Sequence, residues 1–131
     1  MLYKYRNDYE KIAMGLLSLI PDLQEVDHLQ TELRVYTADN NHILYLWKNQ
    51  PSHDFVGLLG IEVGKDFVLV RHISLSPSDR SVKNIYRMLD DLESLYPHKN
   101  IMGSIKLTSV ITRWRQYHAR TEDYHGINTN A

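Results

Sequence analysis

Residues 67–95 constrain the fold more than any other part of the chain. The stretch Phe67–Leu75 is a largely apolar run with several β-branched residues, which is typical of a buried strand. Ser76-Pro77 ends that run, a short polar turn follows, and apolar residues then recur at helical spacing over Val82–Leu95. A turn of this kind leaves the first N–H groups of the helix free at its positive end, which favours an anion. The stretch therefore predicts a strand, a turn that can bind an anion, and a helix.

Helices and strands alternate on both sides of this unit. The remaining predicted elements are a strand at 2–5, helices at 9–20 and 22–36, strands at 43–47, 55–63 and 101–105, and a helix from Thr108 or Ser109. Asn7, Asp8 and Asp22 are the predicted N-caps of the first two helices. Gly64-Lys65-Asp66 predicts a hairpin turn, and the later strand–helix–strand crossover predicts a parallel pair. The order β-α-α-β-β-β-α-β-α indicates an α+β fold, a mixed sheet flanked by helices, in one domain over residues 1–131.

Composition excludes several classes of protein. The formal net charge of −1 does not favour a nucleic-acid-binding domain, and the absence of cysteine excludes disulfides and thiolate nucleophiles. No two of the seven histidines have the i, i+4 spacing of a helical zinc pair, so we expect no metal site. No apolar run approaches the roughly 18 residues of a membrane span. We expect a soluble, cytoplasmic protein without a membrane or nucleic-acid partner.

The strand-to-helix turn carries a resemblance to a known family. The element order and the turn sequence together resemble the GNAT superfamily of N-acetyltransferases; the turn sequence is Leu75-Ser76-Pro77-Ser78-Asp79-Arg80. The resemblance in architecture covers nearly the whole chain, and the resemblance in sequence motif covers residues 68–89. In that family the turn has the form Arg-x-x-Gly-x-Gly/Ala and cradles the pyrophosphate of acetyl-CoA. The resemblance implies acetyl-CoA as co-substrate and main-chain contacts from Ile73 and Leu75 to its pantetheine arm. The turn residues that it implies are Arg80, Ser81, Val82, Lys83, Asn84 and Ile85.

Three segments also resemble RibT-type proteins, which are GNAT-like proteins encoded in riboflavin-biosynthesis operons of Gram-positive bacteria. These segments are Glu10-Lys11-Ile12-Ala13-Met14-Gly15-Leu16-Leu17-Ser18, Leu46-Trp47-Lys48 and Arg71-His72-Ile73-Ser74. The resemblance implies an acetyltransferase-type protein with an unassigned acceptor. It does not imply a step in making riboflavin.

The turn departs from the family pattern at two positions. Lys83 and Ile85 stand where the family has glycine and glycine or alanine, residues that allow unusual backbone angles and close approach of a phosphate. Two alternatives to an active acetyltransferase follow. One is a non-catalytic GNAT-fold protein that binds CoA or another anion through a degenerate loop. The other is an interaction protein that dimerises through a strand edge or the first helices.

Acetyl transfer to an amine requires a base for the amine and an acid for the leaving thiolate. Glu62 and His72 are the candidate bases, and the resemblance to the family places Tyr117 as the candidate acid. Each also fits a structural role: a solvated strand residue, a hydrogen-bonded histidine and a core tyrosine, respectively. The leading hypothesis is direct attack of an unidentified amine on the thioester, with the amine entering beside the first helices and the strand of Glu62. The sequence of those helices shows no charged pocket.

Overall fold

The computed structural model describes residues 1–51 and 53–130, with side chains described as far as Thr121. His125, one of the seven histidines, therefore lies outside the described side chains. The helices and strands follow one another in the predicted order. They are β1 (Leu2–Lys4), α1 (Glu10–Leu17), α2 (Val26–Ala38), β2 (His42–Trp47), β3 (Gly57–Val63), β4 (Phe67–Leu75), α3 (Val82–Leu95), β5 (Asn100–Gly103) and α4 (Thr108–Asn130).

The sheet has the order β1-β2-β3-β4-β5, and every neighbouring pair except the last is antiparallel. The predicted hairpin between β3 and β4 and the predicted parallel pairing of β4 with β5 are both confirmed. Strand β5 pairs only with the first part of β4, from Phe67 opposite Asn100 to Val70 opposite Gly103. The second half of β4 is therefore paired on one side alone, and the sheet opens there.

Helices cover both faces of the sheet because successive strand residues point to opposite sides. On β3, Leu59 and Ile61 belong to the apolar cluster under α3 and α4, whereas Leu58 belongs to the cluster under α1 and α2. Helices α3 and α4 thus lie on one face, and α1 and α2 lie on the other. None of the described helices combines the length and the apolar character needed to cross a membrane.

The predicted N-caps of the first two helices are wrong. Asn7 and Asp8 lie inside a 3₁₀ turn (Asn7–Tyr9) that precedes α1, and no side chain caps α1. Asp22 likewise lies in a 3₁₀ turn (Pro21–Leu23), because Pro21 opens that turn and Leu23 is buried at its end. Helix α2 consequently begins four residues beyond the predicted cap, at Val26.

Candidate active site

A β-bulge in β4 brings two neighbouring polar side chains of the strand to the same helix. Gly60 lies opposite His72 and Ile61 lies opposite Val70, so Arg71 is an extra residue on β4. In a regular strand, Arg71 and His72 would point to opposite faces of the sheet. The bulge instead lets both side chains reach α2, at the point where β4 leaves β5.

Four side chains meet there, and we call them the bulge cluster: Glu32, Tyr36, Arg71 and His72. Glu32 and Tyr36 are one turn apart on α2 and so share a helix face. The hydroxyl of Tyr36 lies 2.6 Å from Nδ1 of His72. Oε2 of Glu32 lies 3.3 Å from Nη2 of Arg71 and 3.9 Å from Nε2 of His72.

Burial shifts the pKa of two members of the cluster, Tyr36 and His72. It raises the pKa of Tyr36, an effect opposed by the guanidinium of Arg71 and reinforced by Glu32. Burial also lowers the pKa of His72, where Glu32 acts in the opposite direction and Arg71 in the same one. At neutral pH the phenol is therefore protonated and the imidazole is neutral. Nη1 of Arg71 is buried and has no hydrogen-bond partner among the described residues.

Gly60 makes room for this arrangement. It faces His72 across the β3–β4 ladder, and a Cβ atom at this position would overlap the hydroxyl and ring of Tyr36. Only a residue without a side chain allows the phenol to lie over the sheet here. The sequence prediction placed Gly60 inside a strand but did not connect it with Tyr36.

Glu62 lies on the same face of the sheet as the bulge cluster but has its own partner. Its Oε1 is 3.0 Å from Nε2 of His42, whose Nδ1 is 3.0 Å from Oδ2 of Asp39. Glu62 contributes to the raised pKa of Tyr36 only as the smallest of several causes. The structure therefore places the two candidate bases near each other without a direct contact between them.

Tyr117 lies across the sheet from both candidate bases. It is half exposed in the groove between α3 and α4, with its ring centroid 5.3 Å from that of Tyr86. Since Tyr86 packs on the core under α3 and α4, this groove belongs to the face opposite the bulge cluster. The three candidate catalytic residues do not form one constellation.

The turn before α3 is a capped helix start. Oγ of Ser81 accepts a hydrogen bond from the N–H of Asn84, and Nδ2 of Asn84 donates to the carbonyl of Asp79. Ile85 donates its N–H to the carbonyl of Ser81, and its side chain packs against the core. The N–H groups of Val82 and Lys83, the first two of the helix, are left without an intrahelical acceptor.

The end of β4 offers main-chain groups on its open side. The N–H of Ser76 donates to the carbonyl of Val56, so hydrogen bonding alternates along β4 with Ser76 facing toward β3. The main-chain groups of Ile73 and Leu75 then face away from β3, on the side that β5 has left. Nη2 of Arg80 lies 3.4 Å from the carbonyl of Leu75 and closes the end of this edge.

Positive charge surrounds the start of α3. Lys83 and Arg87 line a cavity of about 530 Å³ with Tyr86, Tyr117 and Asp90, and Oδ1 of Asp90 contacts the side chains of Trp114 and His118. An adjoining groove of about 640 Å³ is lined in part by two arginines of α4. These arginines are Arg113 and Arg120. Within the described part of the chain, none of the cations named here forms a salt bridge with a carboxylate. The groove therefore attracts anions.

A second cleft lies on the other face, beside α2. It has a volume of about 660 Å³, and its lining includes the carboxylates of Asp22, Glu25 and Glu32. Lys106, which follows β5, forms an ion pair with Asp22 at the cleft. Glu32 belongs both to this cleft and to the bulge cluster. None of these carboxylates was predicted as a site residue; the i, i+4 spacing of Glu32 and Tyr36 was the available signal.

Comparison with known proteins identifies the family. No family model matches the chain. The chain is 33% identical over 114 residues to an uncharacterized N-acetyltransferase from the lysA 3′ region of Bacillus methanolicus. The aligned residues cover 86% of this chain and 93% of the relative. The chain therefore belongs to the N-acetyltransferases of the GNAT superfamily.

Solved structures confirm the fold. The aminoglycoside 6′-N-acetyltransferase of Acinetobacter haemolyticus superposes with a TM-score of 0.64 at 14% identity, over 90% of this chain and 88% of that one. The corresponding enzyme of Acinetobacter baumannii superposes with a TM-score of 0.62 at 12% identity, over 90% of this chain and 87% of that one. An aminoglycoside N-acetyltransferase in complex with CoA superposes with a TM-score of 0.62 at 9% identity, over 88% of this chain and 84% of that one. At such identities the likeness concerns the fold alone.

The described side chains contain no group of three or more histidine and carboxylate residues placed to hold a metal ion.

Proposed function

We propose that the protein is an acetyl-CoA-dependent N-acetyltransferase of the RibT-like type, acting on an amine that is not yet identified. The observation that carries the proposal is the position of the bulge cluster. A partly buried set of titratable side chains lies where β4 separates from β5, beside a strand edge that β5 has left. The RibT-like assignment rests on the resemblance of three segments, one of which, residues 71–74, contains the bulge.

The open edge of β4 fits the pantetheine arm of acetyl-CoA. Main-chain groups of Ile73 and Leu75 would pair with its amides as a neighbouring strand would. The arm would then run from the start of α3 toward the bulge and bring the thioester close to Arg71. The buried, unpartnered Nη1 of Arg71 is a donor suited to the thioester oxygen, on which negative charge develops during attack.

The phosphates of CoA fit the start of α3. The free N–H groups of Val82 and Lys83 and the ammonium group of Lys83 would bind the pyrophosphate, with the O–H of Ser81 still available as a donor. Ile85 would take no part through its side chain, which lies in the core. Side-chain charge thus replaces part of the backbone contact that the two family glycines provide.

Direct transfer needs no covalent enzyme intermediate. The amine nitrogen attacks the thioester carbon and gives up a proton to a base, the C–S bond breaks, and the CoA thiolate leaves and takes a proton from solvent. The bulge cluster is the better location for that base, because Glu62 is occupied by His42. Tyr117 lies beside Lys83, which favours a contact with the nucleotide end of CoA over protonation of the sulfur.

Release of free CoA thiol tests the proposal. The chain has no cysteine, so a thiol reagent reports CoA without background from the protein. We expect thiol release that requires both acetyl-CoA and an acceptor from a panel of small amines, polyamines and peptides with a free N-terminus. If acetyl-CoA binds but no acceptor raises the rate above the amine-free level, the protein is a non-catalytic CoA-binding module.

A further inference from the structure

Glu32 is the member of the bulge cluster that is open to the cleft beside α2. Its side chain is 24% exposed, against 14% for His72 and 25% for Arg71. Of the four members, it is the one that lines the cleft of about 660 Å³. Both of its close contacts, to Arg71 and His72, are made by Oε2. Oε1 has no hydrogen-bond partner among the described residues, so it remains available to a ligand.

The direction of the hydrogen bond between Tyr36 and His72 decides what the imidazole can do. Tyr36 is 6% exposed, and its hydroxyl lies 2.6 Å from Nδ1 of His72, while the guanidinium of Arg71 beside it can only donate. A buried phenol O–H needs an acceptor, so Tyr36 donates and Nδ1 accepts. The proton of the neutral imidazole then lies on Nε2, which faces the carboxylate of Glu32.

With this tautomer, His72 has no free lone pair for an incoming amine. Nδ1 is occupied by Tyr36, and Nε2 is a donor. Glu32 instead accepts a hydrogen bond from Nη2 of Arg71, and its Oε2 faces the Nε2–H of His72 at 3.9 Å. The arrangement holds one carboxylate in a fixed orientation, as second-layer hydrogen bonds orient functional groups in other sites.

We propose that Glu32 is the carboxylate that contacts the acceptor amine and accepts its proton, and that Tyr36, His72 and Arg71 position it. In the step, the N–C bond to the acetyl carbon forms, the C–S bond breaks with its electron pair on sulfur, and the amine proton passes to Oε1 of Glu32. The protonated carboxyl then returns its proton to water in the cleft. This assignment rests on the proposed acetyl transfer and replaces His72 and Glu62 as the base.

Imidazole ¹⁵N resonances test the positioning without turnover. In the wild type we expect His72 to show a lone pair on Nδ1 and a proton on Nε2. Tyr36→Phe removes the donor to Nδ1, so the tautomer ratio should change. A wild-type imidazole protonated on Nδ1, or a ratio unaffected by Tyr36→Phe, would overturn the positioning role.

Titration with n-butylammonium tests the contact to the amine. We expect millimolar n-butylammonium to shift the Nε2–H resonance of His72 and the guanidinium resonances of Arg71 in the wild type. The same shifts should appear in Glu93→Gln, a matched control that changes an exposed glutamate of α3. They should be lost in Glu32→Gln. Equal shifts in Glu32→Gln, or none in the wild type, would contradict the assignment.

Kinetics separate this assignment from the proposed function. With the thiol-release assay, Glu32→Gln should lower the rate about 100-fold, within the usual contribution of a general base, while acetyl-CoA affinity stays within twofold. Should Glu62→Gln cause that loss and Glu32→Gln not, the base is misassigned although acetyl transfer stands. Absence of any thiol release in the wild type would instead contradict the proposed function.

Discussion

Replacing Gly60 with alanine is expected to lower the free energy of unfolding by about 1–3 kcal/mol, the usual effect of inserting a group into a packed interior. The added Cβ would overlap the hydroxyl and ring of Tyr36, so the phenol must leave its place over the sheet. That movement breaks the 2.6 Å hydrogen bond to Nδ1 of His72. We therefore expect acetyl transfer to fall together with stability. Urea unfolding followed by circular dichroism measures the free energy of unfolding, and thiol release measures acetyl transfer.

Gly15 provides the control for Gly60. It is an exposed residue of α1, and a Cβ atom there would meet no described atom within 4 Å apart from its chain neighbours and the backbone of its own helix. Gly15→Ala should raise the free energy of unfolding by about 0.5–1 kcal/mol, because alanine loses less backbone entropy in a helix. A Gly60→Ala variant as stable as the wild type, with the Tyr36–His72 hydrogen bond intact, would contradict the close packing we describe.

Replacing Trp114 with alanine is expected to cost about 3–5 kcal/mol of stability, the range found for large aromatic residues in cores. Trp114 is 1% exposed, and its indole N–H donates to Oδ1 of Asp90 across the α3–α4 contact at 2.9 Å. The same Oδ1 lies 2.6 Å from Nε2 of His118. Loss of the indole therefore leaves a cavity in the core and removes a hydrogen bond that holds α4 against α3.

Thr112 is an exposed neighbour on α4 and serves as the control for Trp114. Thr112→Ala should change the free energy of unfolding by no more than about 0.5 kcal/mol. The docking of α4 by Trp114 would be refuted by a loss below about 1 kcal/mol in Trp114→Ala.

The central unit of the fold could be predicted from the sequence because its signals are local. Strand β4 and helix α3 have the predicted bounds, since Ser76-Pro77 ends the strand and Ser81 caps the helix. The parallel pairing of β4 and β5 followed from the rule for strand–helix–strand crossovers. Periodicity predicted the type and order of the elements, but not every boundary: α1 ends at Leu17 and α2 begins at Val26, because Pro21–Leu23 forms a 3₁₀ turn between them.

The bulge cluster could not be predicted because its cause is tertiary. Nothing in Arg71-His72 marks a bulge, and a regular strand would have separated the two side chains. Tyr36 looked like one more apolar position of a helix, although its hydroxyl makes the shortest contact of the cluster. The candidate bases Glu62 and His72 lie on the face of the sheet that carries the bulge cluster. The sequence did not single out Glu32, because only the packing of α2 brings it to β4.

The two substituted glycine positions of the turn can now be separated. Ile85 belongs to the core, as the helical apolar pattern indicated, and its N–H is bound by Ser81. Lys83 is exposed at the N-terminus of α3 and lines the cavity of about 530 Å³ with Arg87. One substitution therefore serves folding, and the other places a cation where we propose that the pyrophosphate binds.

Calorimetric titration of the wild type with acetyl-CoA tests the central claim most directly. We expect a dissociation constant below about 10 µM, equivalent to roughly 7 kcal/mol, and a tenfold weaker one in Lys83→Ala, equivalent to about 1.4 kcal/mol. Lys65→Ala, which removes an exposed lysine from the β3–β4 turn, should bind like the wild type. No detectable heat of binding at millimolar acetyl-CoA would contradict the account.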